Sequence, residues 1–156
     1  MDMPYLYLKI VKIMRKLIVS VEMSLDGYIA GPNREGDWIS SGEEIWKHMF
    51  NDLGDVDTVL LGLNTYPEYA GYWRSVLTDP DADPHERKYA QWAERTPHIV
   101  FSKTLQSVDW ANSRIARDPR AEVASLKQQP GKHTGGLPLS TSGPCNLRLR
   151  PYRGSN

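Results

Sequence analysis

The sequence predicts an α/β domain with a mostly parallel central sheet flanked by helices. Two observations predict it. Apolar runs over 17–23, 58–62 and 98–102 read as strands, and stretches with apolar residues at helical spacing fall between and after them. Thr58-Val59-Leu60-Leu61-Gly62 and His98-Ile99-Val100-Phe101-Ser102 are continuous rather than alternating, as strands covered on both faces should be.

Leu17 to Met23 is the first expected strand. It leads into Ser24-Leu25-Asp26-Gly27-Tyr28-Ile29-Ala30-Gly31 and then the turn-rich Pro32-Asn33-Arg34-Glu35-Gly36-Asp37. Ser41-Gly42-Glu43-Glu44 opens a helix whose apolar face is Ile45, Trp46, Met49, Phe50 and Leu53, with Gly54 as its stop signal. Ser41 and Glu44 have the spacing of a capping box. After the second strand, Thr65-Tyr66-Pro67-Glu68 starts another helix with the same box spacing. A polar excursion from Thr78 to Pro84 precedes a helix over 85–94 and then the third strand. Asp118-Pro119 opens a helix running from Arg120 to about Gln128, which Pro130-Gly131 closes.

The chain has 156 residues, enough for one domain with its own core. Its 19 basic and 19 acidic residues balance overall but not along the chain. Every Asp and Glu lies at or before Glu122, while Lys127, Lys132, Arg148, Arg150 and Arg153 follow it. These cations are too scattered, and too poor in interleaved aromatics, for a nucleic-acid footprint. Cys145 is the single cysteine, which excludes an intramolecular disulfide and a cysteine metal cluster. His48, His85, His98 and His133 lack metal-ligand spacing, so no metal is expected. No apolar run reaches membrane-spanning length, and the first residues lack the features of a secretory signal. A cytoplasmic location is the expectation, with residues 1–13 as an extension ahead of Met14.

In parallel sheets of α/β domains, ligands bind beyond the carboxyl ends of the strands. Asp26-Gly27, Gly62-Leu63-Asn64-Thr65 and Ser102-Lys103-Thr104 all fall at such ends. On residue chemistry alone each has a plain alternative: a turn, a helix cap and a solvated strand end.

SLDGYIAG, DWISSGEE, VLLGLNTY and HIVFSKTL occur in that order. Together they resemble the dihydrofolate reductase-like family, and most closely the reductase domain at the C-terminus of the bacterial riboflavin-biosynthesis deaminase/reductase. The resemblance runs from Met14 to Lys132. It implies an NADPH-dependent reductase that transfers a hydride to a small pterin- or pyrimidine-like heterocycle, such as 5-amino-6-(5-phosphoribosylamino)uracil. It implies that Ala30 and Gly31 border the nicotinamide, and that Gly62, Asn64 and Thr65 lie against the cofactor phosphates. Ser102, Lys103 and Thr104 would contact the 2′-phosphate, for which hydroxyls and an ammonium are suitable partners. Asp26, Trp38, Ser40 and Ser41 would face the substrate, and Glu44 would be the catalytic carboxylate, unless it serves only as a helix cap.

Three departures from the family pattern stand out. Leu63-Asn64 occupy the place of its usual basic residue, and Tyr28, Ile45 and Trp46 stand where the riboflavin branch carries cations. After Lys132 the expected strand, Gly-Gly loop and helix are not recognisable. Residues 133–156 read HTGGLPLSTSGPCNLRLRPYRGSN, without apolar periodicity. A poorly ordered, aberrant tail is expected there. A domain lacking its C-terminal portion would leave apolar surface for a partner chain, so a homodimer or larger self-association is expected. The alternative reading is an inactive, nucleotide-binding or self-associating relic of the fold.

Overall fold

The computed structural model describes residues 15–32 and 42–136. The expected extension 1–13 and residues 137–156 of the expected tail lie outside that range. In chain order the elements are β1 (Leu17–Val19), α1 (Glu43–Leu53), β2 (Val56–Gly62), α2 (Thr65–Thr78), α3 (Pro84–Arg95), β3 (His98–Phe101), β4 (Ser113–Ala116), α4 (Pro119–Gln128) and β5 (His133–Gly136). The strands form a five-stranded sheet in the order β1-β5-β2-β3-β4. Every neighbouring pair is parallel.

Strand alternation divides the core into two layers. Val59 and Leu61 of β2 and Val100 of β3 pack with Trp46 of α1, Tyr66, Tyr69 and Ala70 of α2, and Tyr89 and Ala93 of α3. The intervening Leu60 and Ile99, with Ala116 of β4, pack against Leu126 of α4. Helices α1 to α3 therefore cover one face and α4 the other, which is why β2 and β3 read as continuous apolar runs.

Local chemistry sets the helix starts. Asp83 accepts from the backbone N–H of His85 at 2.8 Å and of Glu86 at 3.4 Å, ahead of Pro84. Asp118 does the same for Arg120 at 2.9 Å and Ala121 at 3.1 Å, ahead of Pro119. The two expected capping boxes are corrected in register. Gly42 is the N-cap of α1 and Asn64 that of α2, so Glu44 and Glu68 do not stand three residues after the cap.

Three strands differ from expectation. The first is shorter than 17–23: β1 ends at Val19, which pairs with Gly136, and Ser20 N–H donates to Gly136 O at 3.2 Å. The second is β5, which puts four residues of the expected tail between β1 and β2. The sheet therefore does not end at Lys132. His-Thr-Gly-Gly has no strand signature of its own, but its neighbours hold it on both sides. Thr134 is fully buried and its backbone N–H and hydroxyl both donate to Lys16 O, at 3.0 and 3.1 Å. A Cβ at Gly135 would stand 3.1 Å from Val56 Cγ1, so the close approach to β2 favours glycine. β4, the third, carried no sequence expectation; it is a four-residue strand at the end of the sheet in which Arg114 is exposed and Ala116 buried.

Asp57 ties the separate strands together. Its carboxylate accepts from the guanidinium of Arg15, just before β1, and from Lys132 N–H at 2.8 Å, just before β5. Gly131 bends the chain into place with φ +148, and a Cβ there would come within 2.6 Å of Asp57 Oδ2.

Candidate active site at the carboxyl edge of the sheet

The register aligns the strand ends. Gly62 pairs with Phe101, and Phe101 with Ala116, so the chain leaves β2, β3 and β4 at one level. Gly136, paired with Val19 and Leu60, ends β5 slightly lower in the same edge.

Gly62 is half-buried and leads through Leu63 and the exposed Asn64 into α2. Thr65 is the first residue of that helix. The Asn64 side chain makes no capping bond, and the helix dipole there favours an anion. Ser102 is buried, and its hydroxyl accepts from Thr104 N–H at 3.2 Å and Leu105 N–H at 2.9 Å. This turn leaves Lys103 and Thr104 exposed on the rim.

Sequence reasoning missed Arg117. At the end of β4, its guanidinium donates to Ser102 O at 2.8 Å. It adds a second cation beside Lys103, and only recognition of β4 would have located it. Two cations, the hydroxyls of Ser102 and Thr104 and a helix N-terminus nearby form a donor set suited to phosphate groups.

The other expected residues lie elsewhere on the loop side. Ser24 O accepts from Gly27 N–H at 2.9 Å, and Gly27 has φ +91, so Ser24-Leu25-Asp26-Gly27 is a tight turn. Asp26 accepts from the Ser24 hydroxyl at 2.6 Å. Ala30 is buried and Gly31 half-buried. Glu44 is exposed in the first turn of α1. Trp38, Ser40 and Ser41 lie outside the described residues.

A cavity of about 110 Å³ opens between the sheet and the helices. Ile18 and Val19 of β1, Met49 and Leu53 of α1, Tyr89 and Trp92 of α3, and Gly135-Gly136 line it. Its walls are apolar, with Asp52 as the charged group among them. None of the described residues expected at the site lines this cavity. Glu22, three residues past β1, lies close enough for its charge to act on Tyr89. Desolvation pushes the Glu22 carboxyl above its ordinary range, although the residue is exposed at the surface. It was missed because it sat inside a run read as strand. Among the described residues no cluster of His, Cys, Asp and Glu is arranged to hold a metal ion.

The model of the family described as the RibD C-terminal domain matches residues 15–133. The uncharacterized protein YyaP of Bacillus subtilis (strain 168) is 30% identical over 131 residues, covering 82% of this chain and 66% of that protein. The chain thus spans just under two thirds of this relative's length.

Proposed function

The chain belongs to the RibD C-terminal domain family, and from this premise we propose that it is an NADPH-dependent reductase acting on a small heterocycle, pterin- or pyrimidine-like. The observation that carries the reading is the group of Ser102, Lys103, Thr104 and Arg117 at adjoining strand ends, beside Gly62 and the start of α2. Bound NADPH would supply the hydride. Lys103, Thr104 and Arg117 would hold its 2′-phosphate; Gly62, Asn64 and Thr65 would face the pyrophosphate; and Ala30-Gly31 would allow close approach of the ring.

NADPH is expected to bind more tightly than NADH. A charge-assisted contact contributes roughly 1.5–3 kcal/mol, or about tenfold to a hundredfold in affinity. Lys103→Ala and Arg117→Ala should each shrink that ratio while changing NADH affinity little. Fluorescence titration of both cofactors measures it, and equal affinities in the parent chain would sink the proposed phosphate site.

Reduction of a ring also requires a proton, and we assign Glu44 as its source, with Glu22 as the competing carboxyl. Glu44→Gln should abolish NADPH oxidation against a panel of pterin- and pyrimidine-type acceptors. Stability should change little, because Glu44 is exposed and is not the helix cap. Loss of turnover in Glu22→Gln instead would transfer the role. The reading extends to a homodimer. Supporting it, Leu17 and Val19 are each 40% exposed on β1, an end strand of the sheet, and Met23, Leu25 and Tyr28 beyond it are exposed too.

A further inference from the structure

We propose that β1 pairs antiparallel with β1 of a second copy of the chain, joining two sheets edge to edge about a twofold axis. The pairing rests on the homodimer reading and deepens it; it is independent of the cofactor assignment.

The backbone of β1 is bonded on one side. Lys16 O accepts from Thr134 N–H at 3.0 Å, and Ser20 N–H donates to Gly136 O at 3.2 Å, so the even-numbered residues address β5. The N–H and C=O of one strand residue point the same way, so those of Leu17 and Val19 point off the end of the sheet. Such a row of outward groups is a template for another strand.

The residues after β1 continue its pattern. Val21-Glu22-Met23 read as strand, yet have no strand partner among the described residues. By alternation Leu17, Val19, Val21 and Met23 share one face. Leu17 and Val19 are each 40% exposed and Met23 is 54% exposed, so this apolar row lacks cover.

Charge selects the occupant and its register. Lys16 and Glu22 bracket the row, are both exposed, and have no ion-pair partner among the described residues. With Val19 opposite Val19 of the second copy, Leu17 lies opposite Val21 and Lys16 opposite Glu22, each pair occurring twice by symmetry. The outward backbone groups of residues 17, 19 and 21 then face one another, as an antiparallel ladder requires. The nearest registers that keep this match set Glu22 opposite Met14 or Ile18, which carry no charge to answer it. The ends of the chain answer Lys16 poorly: residues 137–156 contain no Asp or Glu, and residues 1–14 contain Asp2 alone.

Sedimentation equilibrium of the full chain with charge swaps tests the pairing. The parent should dimerise. Lys16→Glu and Glu22→Lys each turn two attractive pairs into two repulsive ones, and each should raise the dimer Kd roughly tenfold to a hundredfold; the two together should restore it. Circular dichroism checks that the variants keep the fold. Val19→Cys, with Cys145→Ser, should form a disulfide between copies, because directly opposed residues of a hydrogen-bonded pair stand about 5.5 Å apart at Cα. A dimer that tolerates both single reversals, or that gives no cross-link, overturns the β1 pairing and leaves the homodimer to another face. A monomeric parent overturns both. If the Leu17 and Val19 amides of that monomer resist hydrogen exchange, another part of the same chain covers the edge. None of these outcomes touches the reductase reading, which cofactor titration tests separately.

Discussion

Asp57→Ala should lose about 3 kcal/mol of stability, the lower end of the range for stripping one partner from a buried ion pair. Arg15 is 5% exposed while the Asp57 side chain is 35% exposed, so solvent moderates the loss without removing it. Without the carboxylate, the Arg15 guanidinium keeps Thr58 Oγ1 at 3.1 Å but has no counter-charge. Lys132 N–H loses its acceptor at the same time. The effect reaches three strands, since Arg15 precedes β1, Asp57 lies in β2 and Lys132 precedes β5. Asp57→Asn, which retains an acceptor for Lys132 but not the charge, should fall between the parent and Asp57→Ala. Urea unfolding with circular dichroism measures all three. If Asp57→Ala unfolds within about 0.5 kcal/mol of the parent, as ordinary surface substitutions do, Asp57 is not the tie described here.

Acid should weaken the fold through His98. Its ring is fully buried, stacks on Trp110 at 4.6 Å between centroids, and meets Tyr69 edge-on at 5.4 Å. Burial pushes its pKa down from 6.5 to about 4; the Asn112 side chain and the Glu94 charge oppose the shift without cancelling it. Neither ring nitrogen has a full hydrogen bond within the protein.

The folded pKa lies below the unfolded one, so the unfolded chain takes up the proton first as pH falls. The contribution is therefore complete above pH 6.5, declines through the window, and is gone below about pH 4. Its full size is about 3 kcal/mol. His98→Phe keeps an aromatic ring against Trp110 and cannot titrate, so its stability should vary less with pH between these limits. Other titrating groups are common to both chains and cancel in the comparison. Parallel pH profiles for the two would show that His98 does not set the acid limit.

Elements whose causes are local could be read from the residues alone. The starts of α3 and α4 follow from Asp-Pro pairs, where Asp83 and Asp118 cap amides two and three residues ahead. β2 and β3 follow from apolar runs that need cover on both faces. Part of the family signature was legible for the same reason, since VLLGLNTY and HIVFSKTL are each a strand end with its adjoining turn, and Gly62 and Ser102 do end up at one edge.

Features that depend on distant partners emerge from the packed fold. Val21 to Met23 look like strand, yet β1 ends at Val19. His133 to Gly136 look like tail, yet they fill the space between β1 and β2, because backbone bonding on two sides replaces the apolar side chains they lack. Arg117 reaches the candidate site only because β4 pairs with β3. Arg15 and Asp57 are 42 residues apart, and their pairing leaves no mark on the local pattern of either. Periodicity and capping report on neighbours along the chain, whereas strand order, the burial of Arg15 and His98, and the grouping of cations at one edge arise from which distant segments meet.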